Sequence, residues 1–280
     1  FTPSDARDDQ FYMVVDVRDP RQPREVGRWW LAGTRAQDGC LPGCLPKRQP
    51  IDDGFRAHDI QVYPQRQDRA YVGYMDAGAI TLDISGLAKV RAGLSPRFSP
   101  RLVSRLDYSP PFPAWTHTFQ PLFSRGLATV SDEAVKEKCA DAPKLIWIVD
   151  IRDETNPIIV GTAPVPQDVS ALCSRGGRFG AHNLHPNFPG PTSAQLKNTF
   201  VGSFFNGGVR IYRVVDVPLR GAPARIEEVG FFVPTAPAKN PGGTIQINHM
   251  IVDEKGLIYA ADRVAGGLYI LRYTGKEPLD

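Results

Sequence analysis

Short apolar runs, most of them closing on an aspartate, recur along the chain with similar neighbours. They are YMVVDVRDP from Tyr12, AITLDISG from Ala79, LIWIVDIRDETNP from Leu145, VRIYRVVDVP from Val209 and GLYILRY from Gly267. Three lead through a proline-bearing turn into a further strand: REVGRWW from Arg24, PIIVGTAPV from Pro157 and IEEVGFFVP from Ile226. Upstream of the last four lies a second repeated pair, a strand opening with histidine and one ending near Asp or Asn before a small-residue turn. The pairs are HDIQV with AYVGYMDAGA, HTFQPLF with GLATVSDE, HNLHP with TFVGSFFNGG, and NHMIV with LIYAADRVAGG. Runs this short, rich in Val, Ile, Tyr and Trp and bounded by Gly, Pro and Asp, predict strands rather than helices.

Each unit therefore reads as four antiparallel strands, a to d, recurring about every 60 residues, and a four-stranded sheet repeated radially is a propeller blade. The expected fold is all-β: a single β-propeller domain over residues 1–280, built of four-stranded antiparallel blades. Five blades are expected, or six or seven if a longer N-terminal part precedes Phe1. The N-terminal blade is incomplete, because the first copy supplies only strands c and d, and the last supplies only a, b and c. Through VVDVRDP, IVDIRDETNP and the VG-containing strands that follow them, the chain resembles the LVIVD-repeat family of β-propellers. The resemblance spans nearly the whole chain and implies the fold. That family is broad, so it implies little chemistry.

Composition agrees with a turn-rich β protein: 26 glycines and 26 prolines among 280 residues punctuate the strands. The net charge of +3 is small, and the arginines are scattered among acids rather than gathered in a stripe, which argues against nucleic acid as a partner. No apolar run approaches the roughly 20 residues that span a bilayer. No phosphate loop, dinucleotide fingerprint or nucleophilic serine elbow is present.

Candidate chemistry comes from the repeat itself. His58, His117, His182 and His249 open the four a strands, so a propeller is expected to ring them around the top of its channel. The b-to-c turns carry Asp76, Asp132, Asn206 and Asp262 on the same face, with Arg178 and Arg263 nearby in sequence to meet an anionic group. Converging neutral imidazoles suit a divalent transition metal, with iron or copper favoured and zinc or manganese as alternatives; the carboxylates would orient the rings. His185, on the same strand as His182, is expected to pack or brace. The arrangement is similar in architecture to the histidine-ringed centres of carotenoid-cleaving oxygenases and of selenium-binding protein. Asp16, Asp83, Asp150 and Asp216 end the c strands towards the opposite face, where a carboxylate caps the following turn.

Cys40, Cys44, Cys139 and Cys173 all fall in long top-face loops, an even count that favours two disulfides and a periplasmic or secreted protein; a reduced, cytoplasmic chain is the alternative. The loops at 35–57, 110–116, 131–144 and 166–181 project onto that face, where Phe55, Phe112, Trp115, Phe179 and Phe205 offer an apolar wall or packing between loops. Two functions follow. One is a metal-dependent enzyme of oxygenase, lyase or hydrolase type acting on a small organic substrate, aromatic or isoprenoid-like. The other is a non-catalytic scaffold that binds a protein through its top-face loops.

Overall fold

A computed structural model describes residues 11–33, 55–113, 115–190, 192–217, 219–235, 244–264 and 266–280. Its sixteen strands form five antiparallel sheets, and the chain divides into two compact units. The first comprises Phe1–Ser109 and Ala114–Phe119, the second Pro110–Pro113 and Gln120–Asp280.

In the first unit, β1 (Tyr12–Asp16) pairs with β2 (Arg24–Trp29), and β3 (Asp59–Gln61), β4 (Arg69–Gly73), β5 (Ala79–Asp83) and β6 (Arg101–Leu106) lie side by side in chain order. The last four are strands a to d of a complete repeat. Tyr12 and Leu31 pack with Val72, Tyr74, Ile80 and Leu82, so one core joins the two sheets. The opening residues of β7 (Thr116–Leu122) complete this unit.

The second unit continues β7 into a sheet with β8 (Leu127–Asp132), β9 (Ile146–Asp150) and β10 (Ile158–Thr162). A sheet of β11 (Thr199–Ser203), β12 (Val209–Asp216) and β13 (Arg225–Phe232) follows, then one of β14 (Ile247–Val252), β15 (Leu257–Asp262) and β16 (Gly267–Arg272). Successive side chains on a strand point to opposite faces. Phe200, Tyr212 and Val214 thus face Ile146, Ile148 and Val160 on one side, while Val201, Val209 and Ile211 face Met250, Ile258 and Ala260 on the other. The histidine-led segment HNLHP forms no regular strand and meets β11 through a bridge between Leu184 and Gly202.

The repeated Val-Gly pair has a structural cause. In β2, β10 and β13 the ladder skips Val26, Val160 and Val229, each a β-bulge followed by Gly27, Gly161 or Gly230. Val103 is skipped in the same way in β6, ahead of Ser104. A bulge turns the extra residue out of the ladder and needs room beside it. A Cβ on Gly27 would lie 2.5 Å from the Phe98 ring, and one on Gly230 would lie 3.0 Å from the Tyr273 ring.

Two turn glycines separate strain from collision. Gly208, at φ +78, has the carbonyl oxygen of Phe232 only 2.0 Å from where a Cβ would sit; Gly256, at φ +75, has nothing within 4 Å. Gly256→Ala is expected to cost about 1 kcal/mol from the left-handed backbone alone. Gly208→Ala is expected to cost at least about twice that, since backbone must also move. Urea unfolding of both variants checks the order, and equal losses would show that the collision is relieved.

Candidate functional site

In the first unit, the a-strand histidines come together. The His58 amide donates to the Gly73 carbonyl (2.8 Å), which sets the start of β3, and Thr116 bonds reciprocally with Met75 in the b-to-c turn. A Cβ on Gly73 would lie 2.0 Å from the His117 carbonyl oxygen, so only glycine lets β4 pass β7 this closely. The His58 and His117 rings lie 4.1 Å apart between centroids, and each brings a ring nitrogen within 4.8 Å of the other's. Trp115, at φ +71, sets its ring edge against His58 at 5.1 Å. His117 is 3% exposed and its Nδ1 lies 2.7 Å from the Thr118 hydroxyl, whereas His58 is open to solvent. Asp76 sits half-buried in the b-to-c turn after Met75.

The second unit gathers a different group. The ring of buried His182 stacks on Phe205 at 4.5 Å, with the planes 16° apart, and its Nε2 lies 3.5 Å from Oε1 of Glu133. Arg178 donates to the same oxygen at 3.1 Å, and its guanidinium also lies over the Phe205 ring. Arg263 lies over that ring at 5.1 Å and donates to Oδ1 of Asn248. Phe205 is fully buried at φ +48, a left-handed conformation that costs a bulky residue free energy and persists because its surroundings hold it. Gln246 clamps the Arg178 backbone from both sides, accepting from its N–H and donating to its carbonyl. Glu133 escaped the sequence reading; its only signal was its place directly after the repeated turn acid Asp132.

Other nominated residues hold loops. Asp132 accepts from the Leu145 amide and the Trp147 indole, both at 3.0 Å. Asn206 donates to the carbonyls of Leu172 and Gly176, bracing helix α1 (Val169–Ser174). Asp262 accepts from the Val264 amide within its turn. Phe112 packs on Trp147, Phe179 on Phe204, and Phe55 against the first unit's core. Cys139 and Cys173 form a disulfide between the 131–144 and 166–181 loops, with Cα atoms 5.5 Å apart. Cys40 and Cys44 lie outside the described residues. On the c strands, Asp16, Asp83 and Asp150 accept from the amides two residues on, the capping expected of them.

His185 has a defined tautomer. Its Nε2 lies 2.8 Å from the Ala194 carbonyl and must carry the proton, while Nδ1 accepts from the Val252 amide at 3.2 Å. A second proton would point at that amide. Burial pushes this imidazole down to about 4, with nearby His249 acting in the same direction. The unfolded chain then binds a proton that the folded one refuses. Stability present above about pH 6.5 is therefore lost as pH falls towards 4, by roughly 1.4 kcal/mol per unit. Urea unfolding at pH 7, 6 and 5 checks this. His185→Leu is expected to be less stable at pH 7 but to show a flatter profile; an unchanged slope would mean other groups set it.

Among the described residues no helix is long and apolar enough to cross a membrane. No family model matches the chain, and no curated protein matches it. The LVIVD resemblance accordingly rests on its own segments. The structure is similar to the crystal structure of the Myceliophteria thermophila Cps50 (Swd1) β-propeller domain, with 13% sequence identity and a TM-score of 0.52 over 96% of this chain. This chain spans 65% of that one. Similarity extends at lower TM-scores to the complex of KlAtg21 with the coiled-coil of AgAtg16 (0.47; 11% identity; 81% of this chain and 55% of that one). For the WD40 domain of SCAP from fission yeast it is 0.38, with 12% identity over 80% of this chain and 44% of that one. Five antiparallel sheets in series, together with the first of these likenesses, make the fold a β-propeller.

Proposed function

We propose that the chain is a non-catalytic propeller scaffold that binds another protein through the 131–144 and 166–181 loops of its second unit. One observation carries this reading: Asp132 and Asn206, nominated there for chemistry, are spent on holding loops. Asp132 fixes the end of the first loop, Asn206 fixes α1, and the Cys139–Cys173 bridge ties the two loops together. Loops fixed before encounter lose less entropy on binding, which favours affinity. Lys136, Glu137, Ser174 and Arg175 stand exposed on them as contact residues. The bridge also supports an oxidising, periplasmic or secreted setting.

A photo-crosslinker at Glu137 or at Arg175 is expected to capture the same polypeptide, while one at Arg220, on a distant turn, captures none. Removing the bridge by Cys139→Ser with Cys173→Ser is expected to lower stability by roughly 3 to 4 kcal/mol and to weaken capture from both sites together. Turnover of a small molecule by the purified chain, abolished by Glu133→Gln, would reject the scaffold reading.

The His58 and His117 pair supports a second reading, in which two imidazoles hold a divalent transition metal, iron or copper before zinc or manganese. His117 Nε2 is the nitrogen left for it, since Nδ1 meets Thr118. Two imidazoles supply half of a four-coordinate shell, leaving positions for a small aromatic or isoprenoid-like substrate. Calorimetric titration with Cu(II) and with Zn(II) tests it: His58→Ala and His117→Ala are each expected to weaken binding at least about tenfold. Equal affinity in wild type and variants would assign the pair to packing.

A further inference from the structure

Strands of the c type in this chain share one environment, with a single exception. β1, β5, β9 and β12 each carry an outer strand, respectively β2, β6, β10 and β13. Each outer strand skips one valine, with glycine or serine after it. Each of three also answers a charge on the strand it covers: Arg24 meets Asp16, Arg101 meets Asp83, and Glu228 meets Arg210.

β16 corresponds to these c strands in sequence but is last in its sheet, with no outer strand among the described residues. Where β9 is buried along its whole length, Leu268 and Ile270 on one face of β16 are each 61% exposed. Arg272 at its end is exposed and has no ion-pair partner among the described residues. The ladder to β15 runs through six pairs without a bulge. Edge strands are normally guarded by lysine, proline, a bulge or a covering element, and among the described residues β16 has none of these. Nor does the following segment cover it. Residues 273–280 run back to the neighbouring sheet, where the Asp280 carbonyl accepts from the amides of Asn198 and Thr199 and Glu277 pairs with Arg213. A cavity of about 220 Å³ borders the strand, lined in part by Phe231, Phe232, Leu271 and Tyr273.

We propose that the open edge of β16 binds an extended segment of a partner polypeptide as a fourth, antiparallel strand. The four internal precedents define that segment's chemistry: alternating apolar residues, a β-branched residue followed by a small one at the bulge, and an acid to meet Arg272. Main-chain hydrogen bonds supply affinity in this mode, and side-chain pockets such as the one beside Leu271 supply selectivity. A second copy of β16 fits less well, since its GLYILR strand brings neither an acid to meet Arg272 nor a valine-glycine pair. This surface is independent of the loops proposed above.

The probe is a synthetic peptide with the sequence of residues 225–233, RIEEVGFFV, added to the intact protein. At saturation the amide hydrogens of Gly267–Arg272 are expected to exchange at least about tenfold more slowly. Ile270→Lys is expected to weaken binding at least about tenfold with an unchanged melting temperature. Lysines in place of both glutamates of the peptide are expected to weaken it as well. No slowing of exchange, or equal binding by Ile270→Lys, overturns the proposal. So does slow exchange without peptide in a protein that sediments as a dimer, which would give the edge to a second copy.

Discussion

The carbonyl of the bulged valine couples one sheet to the next. Where an outer strand skips a residue, that residue's backbone oxygen turns out of the ladder and would be stranded unless another element met it. Phe98, ahead of β6, donates its amide to Val26; Ala224, ahead of β13, donates to Val160. Tyr273, just after β16, brings its hydroxyl to Val229. Each contact runs from one sheet to its successor in the same unit. At Gly27 and Gly230 the glycine after the valine also makes room for the incoming chain, whose Phe98 and Tyr273 rings lie where a Cβ would sit.

With the sheets so coupled, β11 and β12 up to Val214 are buried on both faces. Their alternate side chains belong to different cores, and neither face is left for solvent. Polar function is therefore displaced to the strand starts and the turns, where backbone is irregular. His58 lies just ahead of β3, His182 precedes a segment without regular pairing, and Phe205 occupies a left-handed turn position. Even there, most polar groups are recruited to satisfy loop backbone that would otherwise be buried without partners.

Sheet order, with two strands described for the first repeat and three for the last, was legible because alternation, turn residues and the Val-Gly pair are properties of a single strand and its neighbour. The aspartate caps were legible for the same reason. The histidines' common position was legible too, but not their differing surroundings: His117 leans on Thr118, His182 on Phe205, and His185 is held between Ala194 and Val252. Those partners come from other strands or from the residue alongside, and no spacing rule reports them. Glu133 was hidden because its role depends on Arg178, 45 residues away. The pairing of Cys139 with Cys173 needed three dimensions, since spacing alone left three connectivities open.

The bulges also give each outer strand one position at which its length is forgiving. Because each skips one residue, deleting Val26, Val160 or Val229 would restore an ordinary pleat and leave every residue beyond it opposite its present partner, with the loss of the carbonyl that the next sheet meets. Deleting a paired residue such as Arg28 or Phe231 would instead slip the register beyond it by one and turn those side chains to the other face. A one-residue deletion away from the bulge would thus be read as an inversion of inside and outside, while a longer surface turn between strands can gain or lose residues with little consequence.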